Sequence, residues 1–188
     1  MNTKTLLLGV VGLVLVIAFT MGGYYNGFVT QTNGIDGQWK QVEVQYQRRY
    51  DLIPNLVESV KGAQIQEQTV FGDIAKARQN YAGARTTDEK INATNEVEGA
   101  LGRLLVIMEN YPQIKSDATV MKLMDELAGT ENRVSVERRR YNDLVQGYNT
   151  GVSVVPGKFV ASMFGFSTRQ YFNAEVGAEK APKVDFTK

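Results

Sequence analysis

The chain contains no cysteine and no histidine among its 188 residues. Nucleophilic sites of the Ser-His-Asp and Cys-His types are therefore excluded, as is a zinc site that uses either residue. A ferritin-like di-iron bundle needs Glu-x-x-His pairs, which this composition cannot supply. The sequence predicts no catalytic residue, no metal site and no cofactor, and we interpret the chain as a protein that is not an enzyme.

Carboxylates that are neighbours in the sequence do not change this interpretation. Asp125 with Glu126, and Glu96 with Glu98, lack the i,i+3 or i,i+4 spacing that places two groups on one helix face. We interpret them as parts of solvated helix faces. Gly22-Gly23 is the nearest approach to a glycine-rich phosphate loop, and it belongs to the end of an apolar run.

Charge is absent from a long stretch near the start, since no charged residue lies between Lys4 and Asp36. Within it, residues 6–23 are long enough to cross a bilayer core of ~30 Å as one helix, for which ~17 apolar residues are the lower limit. The sequence therefore predicts a membrane-spanning helix over 6–23, preceded by a short leader over 1–5, with the lipid bilayer as a partner. The anchoring side chains are Leu6, Leu7, Leu8, Val10, Val11, Leu13, Val14, Leu15, Val16, Ile17 and Phe19.

Two alternatives to a retained anchor are a cleaved signal peptide and a buried core helix. A signal peptide has a shorter apolar core of ~7–15 residues and a small-x-small cleavage site, whereas residues 20–24 read Thr-Met-Gly-Gly-Tyr. The charge-free flanks argue against a core helix. The positive-inside rule, which here depends on Lys4 alone, favours a single pass through the inner membrane with the body on the extracytoplasmic side.

Excess charge of one sign is also missing. Without Lys4, the 21 basic residues become 20, which equals the number of acidic residues. A nucleic-acid-binding protein needs a basic face. Nucleic acid is therefore not a predicted partner.

Apolar residues at intervals of three and four are abundant after the anchor and predict an all-α fold. In the last long helix, apolar residues recur at every seventh position: Val120, Leu127, Val134, Tyr141 and Tyr148. Thr86 and Glu89 have the spacing of a capping box, Pro112 ends the helix before it, and Ser116 or Asp117 can cap the next. Pro54 lies inside an apolar stretch, where we expect a kink or a short break.

Five separated motifs resemble the LemA family, in the same order along the chain. They are the runs from Trp39 to Val57, Arg103 to Pro112, Gly129 to Val134 and Arg138 to Asn142, and a tail with Phe164-Gly165-Phe166 and Tyr171-Phe172. The resemblance extends from about Tyr24 to Phe186. It implies an N-terminal membrane helix followed by an antiparallel bundle, here of about four long helices over 24–150. The function of that family is poorly defined, so the resemblance implies architecture more than activity.

The remaining segment, residues 151–188, is rich in apolar side chains. We expect it to fold back onto the bundle, and the alternative is an exposed patch for a partner or a membrane.

A set of polar residues within the motifs predicts a buried or inter-subunit network, which would fix register and partner choice. Its members are Arg49, Asp51, Asn55, Glu109, Asn110, Glu131, Asn132, Arg139 and Asn142. The alternative is that helix ends and faces simply use arginine, with tyrosines packed at the seams.

From these observations we expect a membrane-anchored helical scaffold or interaction protein that forms a homo-oligomer or docks an envelope protein. The alternative is a membrane-tethered helical sensor that binds a small ligand or a peptide.

Overall fold

The computed structural model describes residues 3–62 and 67–172, and these residues form six helices and no strand. The predicted all-α fold class is confirmed for this part of the chain. Residues 1–2 of the predicted leader and residues 173–188 of the predicted C-terminal segment lie outside the described residues. In chain order the helices are α1 (Thr3–Gly62), α2 (Gln68–Gly83), α3 (Thr87–Glu109), α4 (Pro112–Lys115), α5 (Ala118–Ser153) and α6 (Gly157–Phe164).

Helix α1 runs without interruption from the apolar run into the body of the protein. The chain stays helical on both sides of Pro54, so the predicted alternative of a short break at this proline is wrong. The apolar run at the start of α1 is long and apolar enough to cross a membrane, and no part of its most apolar stretch is buried. The alternative of a buried core helix is therefore wrong for this run.

The ends of the later helices follow the local sequence signals. Thr86 and Glu89 form the predicted capping box at the start of α3: the Thr86 hydroxyl accepts the Glu89 N–H at 3.2 Å, and the Glu89 carboxylate accepts the Thr86 N–H at 3.1 Å. Pro112 is the first residue of α4, directly after α3 has ended. The Asp117 carboxylate accepts the N–H groups of Thr119 and Val120, which caps α5.

Acid weakens the capping box. Hydrogen bonds from the backbone N–H groups of Arg85 and Thr86 lower the pKa of Glu89 below its ordinary value. A carboxyl whose pKa falls on folding contributes stability above its unfolded pKa of ~4.3, and this stability is lost as the pH falls through the folded pKa. Urea unfolding followed by circular dichroism gives a midpoint at neutral pH and another at acidic pH. We expect the difference between these two midpoints to be larger for the wild type than for Glu89→Gln.

The matched control is Asp88→Asn, in the same first turn of α3. This variant should keep the wild-type difference between neutral and acidic midpoints. A Glu89→Gln variant with the same acid sensitivity as the wild type would contradict the prediction.

The described residues divide into two compact units, each formed by separate parts of the chain. The first comprises Met1–Glu43, of which residues 1–2 are not described, and Ser135–Tyr171. In this unit α1 and α5 are antiparallel, because Phe28 lies against Tyr148, whereas Gln38, further along α1, donates to Glu137, which lies earlier in α5, at 2.7 Å. Helix α6 and the chain after it complete the unit.

The second unit comprises Val44–Val134 and Phe172–Lys188, of which residues 63–66 and 173–188 are not described. It contains α2, α3, α4 and the adjoining parts of α1 and α5. The antiparallel order of α2 and α3 follows from two contacts: Arg103 donates to Asp73 at 2.9 Å, and Asn80 donates to Glu96 at 2.7 Å. The centre of this bundle is apolar, with fully buried side chains that include Ile53, Leu56, Val60, Ile91, Val97 and Leu104.

Candidate functional site

A buried ion cluster joins three helices of the second unit. Arg49 of α1 is only 6% exposed and forms ion pairs with Glu98 of α3 and Glu131 of α5. Its Nη2 lies 2.8 Å from Oε2 of Glu98, and its Nη1 contacts Oε2 of Glu131. One guanidinium thus bridges two carboxylates that come from different helices.

The apolar pattern of α1 places Arg49 inside the bundle. Tyr46 and Ile53, three residues before it and four after it, are fully buried and lie on the same helix face. The planar fork of a guanidinium can bind two carboxylates at once, which a lysine ammonium does less well. The cluster therefore links α1 to both α3 and α5.

A row of tyrosines lies beside the cluster. The rings of Tyr46 and Tyr50 are stacked at 5.6 Å, and Tyr81 of α2 packs edge-on against Tyr50 at 4.7 Å. Burial raises the pKa of Tyr50, and the nearby Glu98 acts in the same direction. The Tyr50 phenol therefore stays protonated at neutral pH, and its ring serves as a packing group.

Among the predicted network residues, the structure brings Arg49 and Glu131 together. Most of the others are exposed: Asp51, Asn55, Glu109, Asn110, Asn132 and Arg139. Asp51 accepts a hydrogen bond from Gln47 on its own helix, and Asn142 is half-buried on α5.

Glu98 was missed by the sequence analysis. Its interpretation as a solvated residue is wrong, because its side chain is largely buried and paired with Arg49. Its position in the sequence could have indicated burial, because Glu98 is next to Val97 and four residues after Thr94, both of which are buried. Asp125 and Glu126 are exposed, as predicted.

An open groove of about 610 Å³ lies between α1 and α5 within the second unit. Its walls carry both signs of charge, which suits a polar or zwitterionic ligand better than an apolar one. Among the described residues, no group of three or more Asp and Glu side chains is arranged to hold a metal ion. The groove is lined by Arg48, Asp51, Leu52, Asp125, Glu126, Gly129, Thr130 and Arg133.

An aromatic cluster closes the first unit just beyond the apolar run. The Phe28 ring lies 5.4 Å from that of Phe166 and 6.2 Å from that of Tyr148. Tyr25 packs edge-on against Phe164 at 5.0 Å and against Phe166 at 5.7 Å. The chain after α5 is therefore held against the part of α1 that follows Gly23.

Hydrogen bonds hold the chain after α6 further along α5. The Asn149 side chain accepts the Arg169 N–H at 2.8 Å and donates to the Arg169 carbonyl at 2.9 Å. The Tyr141 hydroxyl donates to the Gln170 carbonyl, and the Arg169 guanidinium lies 3.6 Å from Asp36. In the second unit, the buried Phe172 packs against Tyr46.

Gly157 allows the close contact between α6 and the end of α5. A Cβ at this position would overlap the carbonyl oxygen of Gly151 and lie 3.2 Å from the Phe28 ring. The nearest atom is a backbone oxygen, which cannot move aside as the end of a flexible side chain can. We therefore expect Gly157→Ala to destabilise the protein by about 1–3 kcal/mol. Urea unfolding of the full chain in detergent, followed by circular dichroism, measures this loss.

Gly147→Ala is the control for Gly157→Ala, because a Cβ at Gly147 meets nothing within 4 Å and the residue lies inside α5. This variant should be stabilised by up to about 1 kcal/mol, since alanine is the better helix former. Equal midpoints for the two variants would contradict the close contact at Gly157.

The sequence model described as the LemA family matches residues 38–186, well over half of the chain. The chain belongs to the LemA family. This finding confirms the resemblance inferred from the five motifs. The matched range contains the ion cluster, the tyrosine row and α6.

Curated relatives of this LemA-family chain include three magnetosome proteins. MamQ 2 and MamQ 1 of Paramagnetospirillum magneticum are each 27% identical to it, over 87% of this chain and 70% of the relative. MamQ of Magnetospirillum gryphiswaldense is 28% identical, over 79% of this chain and 64% of the relative. Neither the family description nor these names states an enzymatic activity. Together with the exposed apolar run, the comparisons support a membrane-associated helical protein.

Proposed function

We propose that this LemA-family chain is a single-pass scaffold whose bundle is held at a membrane by α1. The observation that carries the proposal is the continuity of α1, which joins an unburied apolar run to packed residues without a break. An uninterrupted helix leaves no loop between the anchor and the packed residues that follow it in the chain. The scaffold self-associates or docks an envelope protein, and its chemistry is binding rather than catalysis.

The proposed location is the inner membrane, with the body on the extracytoplasmic side. The membrane setting is supported by the apolar run and is consistent with the magnetosome names of the relatives. The orientation is supported only by Lys4, the single basic residue before the run. Protease added to intact and to permeabilised cells tests it: cleavage of the body in cells with only the outer barrier opened supports the proposal, and protection there contradicts it.

The anchor itself is tested by alkaline extraction of membranes and by the intact mass of the chain. The full-length protein should stay in the membrane fraction, and Leu13→Arg with Val14→Arg should release it, because charges at a bilayer centre cost several kcal/mol. A chain shortened at its N-terminus would identify the run as a cleaved signal peptide. A full-length wild-type protein in the supernatant would also overturn the proposal.

Self-association is tested by crosslinking the full-length protein in its native membrane. Arg139 and Asn132 of the predicted network are exposed on α5, so they remain candidates for contacts between copies. Arg139→Ala should reduce a homo-oligomeric ladder, whereas Arg140→Ala, whose guanidinium pairs with Glu137 within α5, should not. Equal and negligible effects of both variants would remove Arg139 from the interface.

The charged groove between α1 and α5 favours the sensor as a second candidate function. Its volume of about 610 Å³ is within the range of small-molecule sites, roughly 300–1,000 Å³. A thermal-shift screen of the full-length protein with zwitterionic and charged metabolites or short peptides tests this candidate. Binding that is lost in Arg133→Ala would support a sensor, and the absence of any shift would favour the scaffold.

A further inference from the structure

Helix α6 has apolar side chains on two faces, only one of which is packed. Gly157, Val160 and Ala161 are buried in the first unit. Phe159 and Met163, four residues apart, are 68% and 67% exposed. Val154 and Val155 in the preceding turn are also exposed, as is about half of Phe164. We call the exposed set Val154, Val155, Phe159, Met163 and Phe164 the α6 patch.

The position of α6 along α1 indicates what covers this patch. The start of α6 lies against Phe28, and its end lies against Tyr25. Tyr25 comes two residues after Gly23, the end of the predicted membrane span. Both ends of α6 therefore lie against a single helical turn of α1, ~5 Å long, that directly follows the apolar run.

The charges around the patch suit a lipid surface. No acidic residue lies between Asp143 and Glu175, and Lys158 is the only ionisable residue of α6. Lys158 is exposed next to Phe159, which allows its ammonium to reach phosphate headgroups while its methylenes remain near apolar surface. A short helix with a bulky apolar face and a basic residue is typical of segments that lie in the membrane interface.

We propose that the α6 patch inserts into the headgroup and upper acyl region of the bilayer, beside the point where α1 leaves the membrane. This inference rests on the proposed anchoring of α1. The exposed apolar side chains of α1 and the α6 patch then both contact lipid. The first unit is thereby held at the membrane by two contacts instead of one.

The absence of cysteine makes a site-specific probe straightforward. Single-cysteine variants of the full-length chain, labelled with an environment-sensitive dye, are reconstituted in vesicles of phosphatidylethanolamine and phosphatidylglycerol. Met163→Cys reports the α6 patch, and Leu13→Cys reports the anchor. Val136→Cys is the water-exposed control. Val136 is next to Glu137, which accepts a hydrogen bond from Gln38, and Gln38 lies some 20 Å beyond Gly23 along α1.

Spin-labelled lipid and aqueous iodide are then used as opposing quenchers. The proposal expects Leu13→Cys and Met163→Cys to lose most of their emission to the lipid quencher, while Val136→Cys is quenched by iodide. Quenching of Met163→Cys by iodide, with Leu13→Cys still quenched by lipid, would overturn the α6 inference and leave the anchor intact. Failure of the lipid quencher at Leu13→Cys would overturn the anchor itself.

A second copy of the chain is the competing occupant of the patch. In that case the Met163→Cys dye would be shielded from both quenchers, and oxidation of the unlabelled Met163→Cys protein would join two chains through a disulfide. That result would overturn lipid insertion in favour of a dimer contact. Phe159→Ser combined with Met163→Ser gives an independent check, because it should increase protease access to the chain after α5 in vesicles but not in detergent.

Discussion

Replacing Arg49 with methionine should lower the free energy of unfolding by about 3–5 kcal/mol, because it leaves Glu98 and Glu131 without their shared cation. Methionine has a similar length and an apolar stem, so little packing volume is lost. The effect comes mainly from Glu98, whose side chain is less exposed than that of Glu131. Urea unfolding of the full chain in detergent, followed by circular dichroism, measures the loss.

Arg48→Met is the matched control, because it removes the same charge at the neighbouring, exposed position of α1. It should change stability by no more than about 0.5 kcal/mol. Adding Glu98→Gln and Glu131→Gln to Arg49→Met should recover part of the loss, because the buried carboxylates are then neutral. Similar small effects of Arg49→Met and Arg48→Met would show that the cluster contributes nothing to stability.

The ion cluster also marks the limit of what the sequence could predict about the site. Arg49 and Glu131 were identified because they lie in motifs of the family. Glu98 was not, because the spacing rule compares carboxylates on one helix, whereas the partner of Glu98 is supplied by another helix. Contacts of this kind depend on how helices pack, and a periodic pattern does not contain that information.

Local signals, by contrast, predicted much of the fold. The capping box at Thr86 and the cap at Asp117 depend on backbone N–H groups within one turn, so neighbouring residues determine them. The seven-residue repeat of α5 was also read correctly, since Val120, Leu127, Val134, Tyr141 and Tyr148 are all buried. Of the kink or short break expected at Pro54, the break is wrong: α1 stays helical through the proline, and Ile53, Leu56 and Val60 around it are fully buried.

The C-terminal segment illustrates a choice that composition alone left open. Its described part contains both kinds of residue: Phe166 packs against Tyr25 and Phe28, while Phe159 and Met163 are exposed. All these side chains are similarly hydrophobic, so the sequence alone does not separate them. Only the position of α6 against α1 separates those that pack from those that form the α6 patch.

Phe28→Ala should destabilise the protein by about 3–5 kcal/mol, the usual cost of truncating a buried phenylalanine. Phe28 is 2% exposed, contacts Tyr148 and Phe166, and lies close to Gly151 of α5 and Gly157 of α6. Its loss leaves a cavity at the point where the chain after α5 is held against α1. The urea midpoint of the full chain in detergent measures the effect.

Phe159→Ala removes the same ring from an exposed position of the first unit and should change the midpoint little. Trypsin supplies a second readout, because the Arg169 backbone is held by Asn149. Cleavage after Arg169 should become faster in Phe28→Ala and stay at the wild-type rate in Phe159→Ala. Equal rates in both variants would mean that the aromatic cluster does not hold the C-terminal segment in place, and the position assigned to α6 beside the end of the apolar run would lose its physical basis.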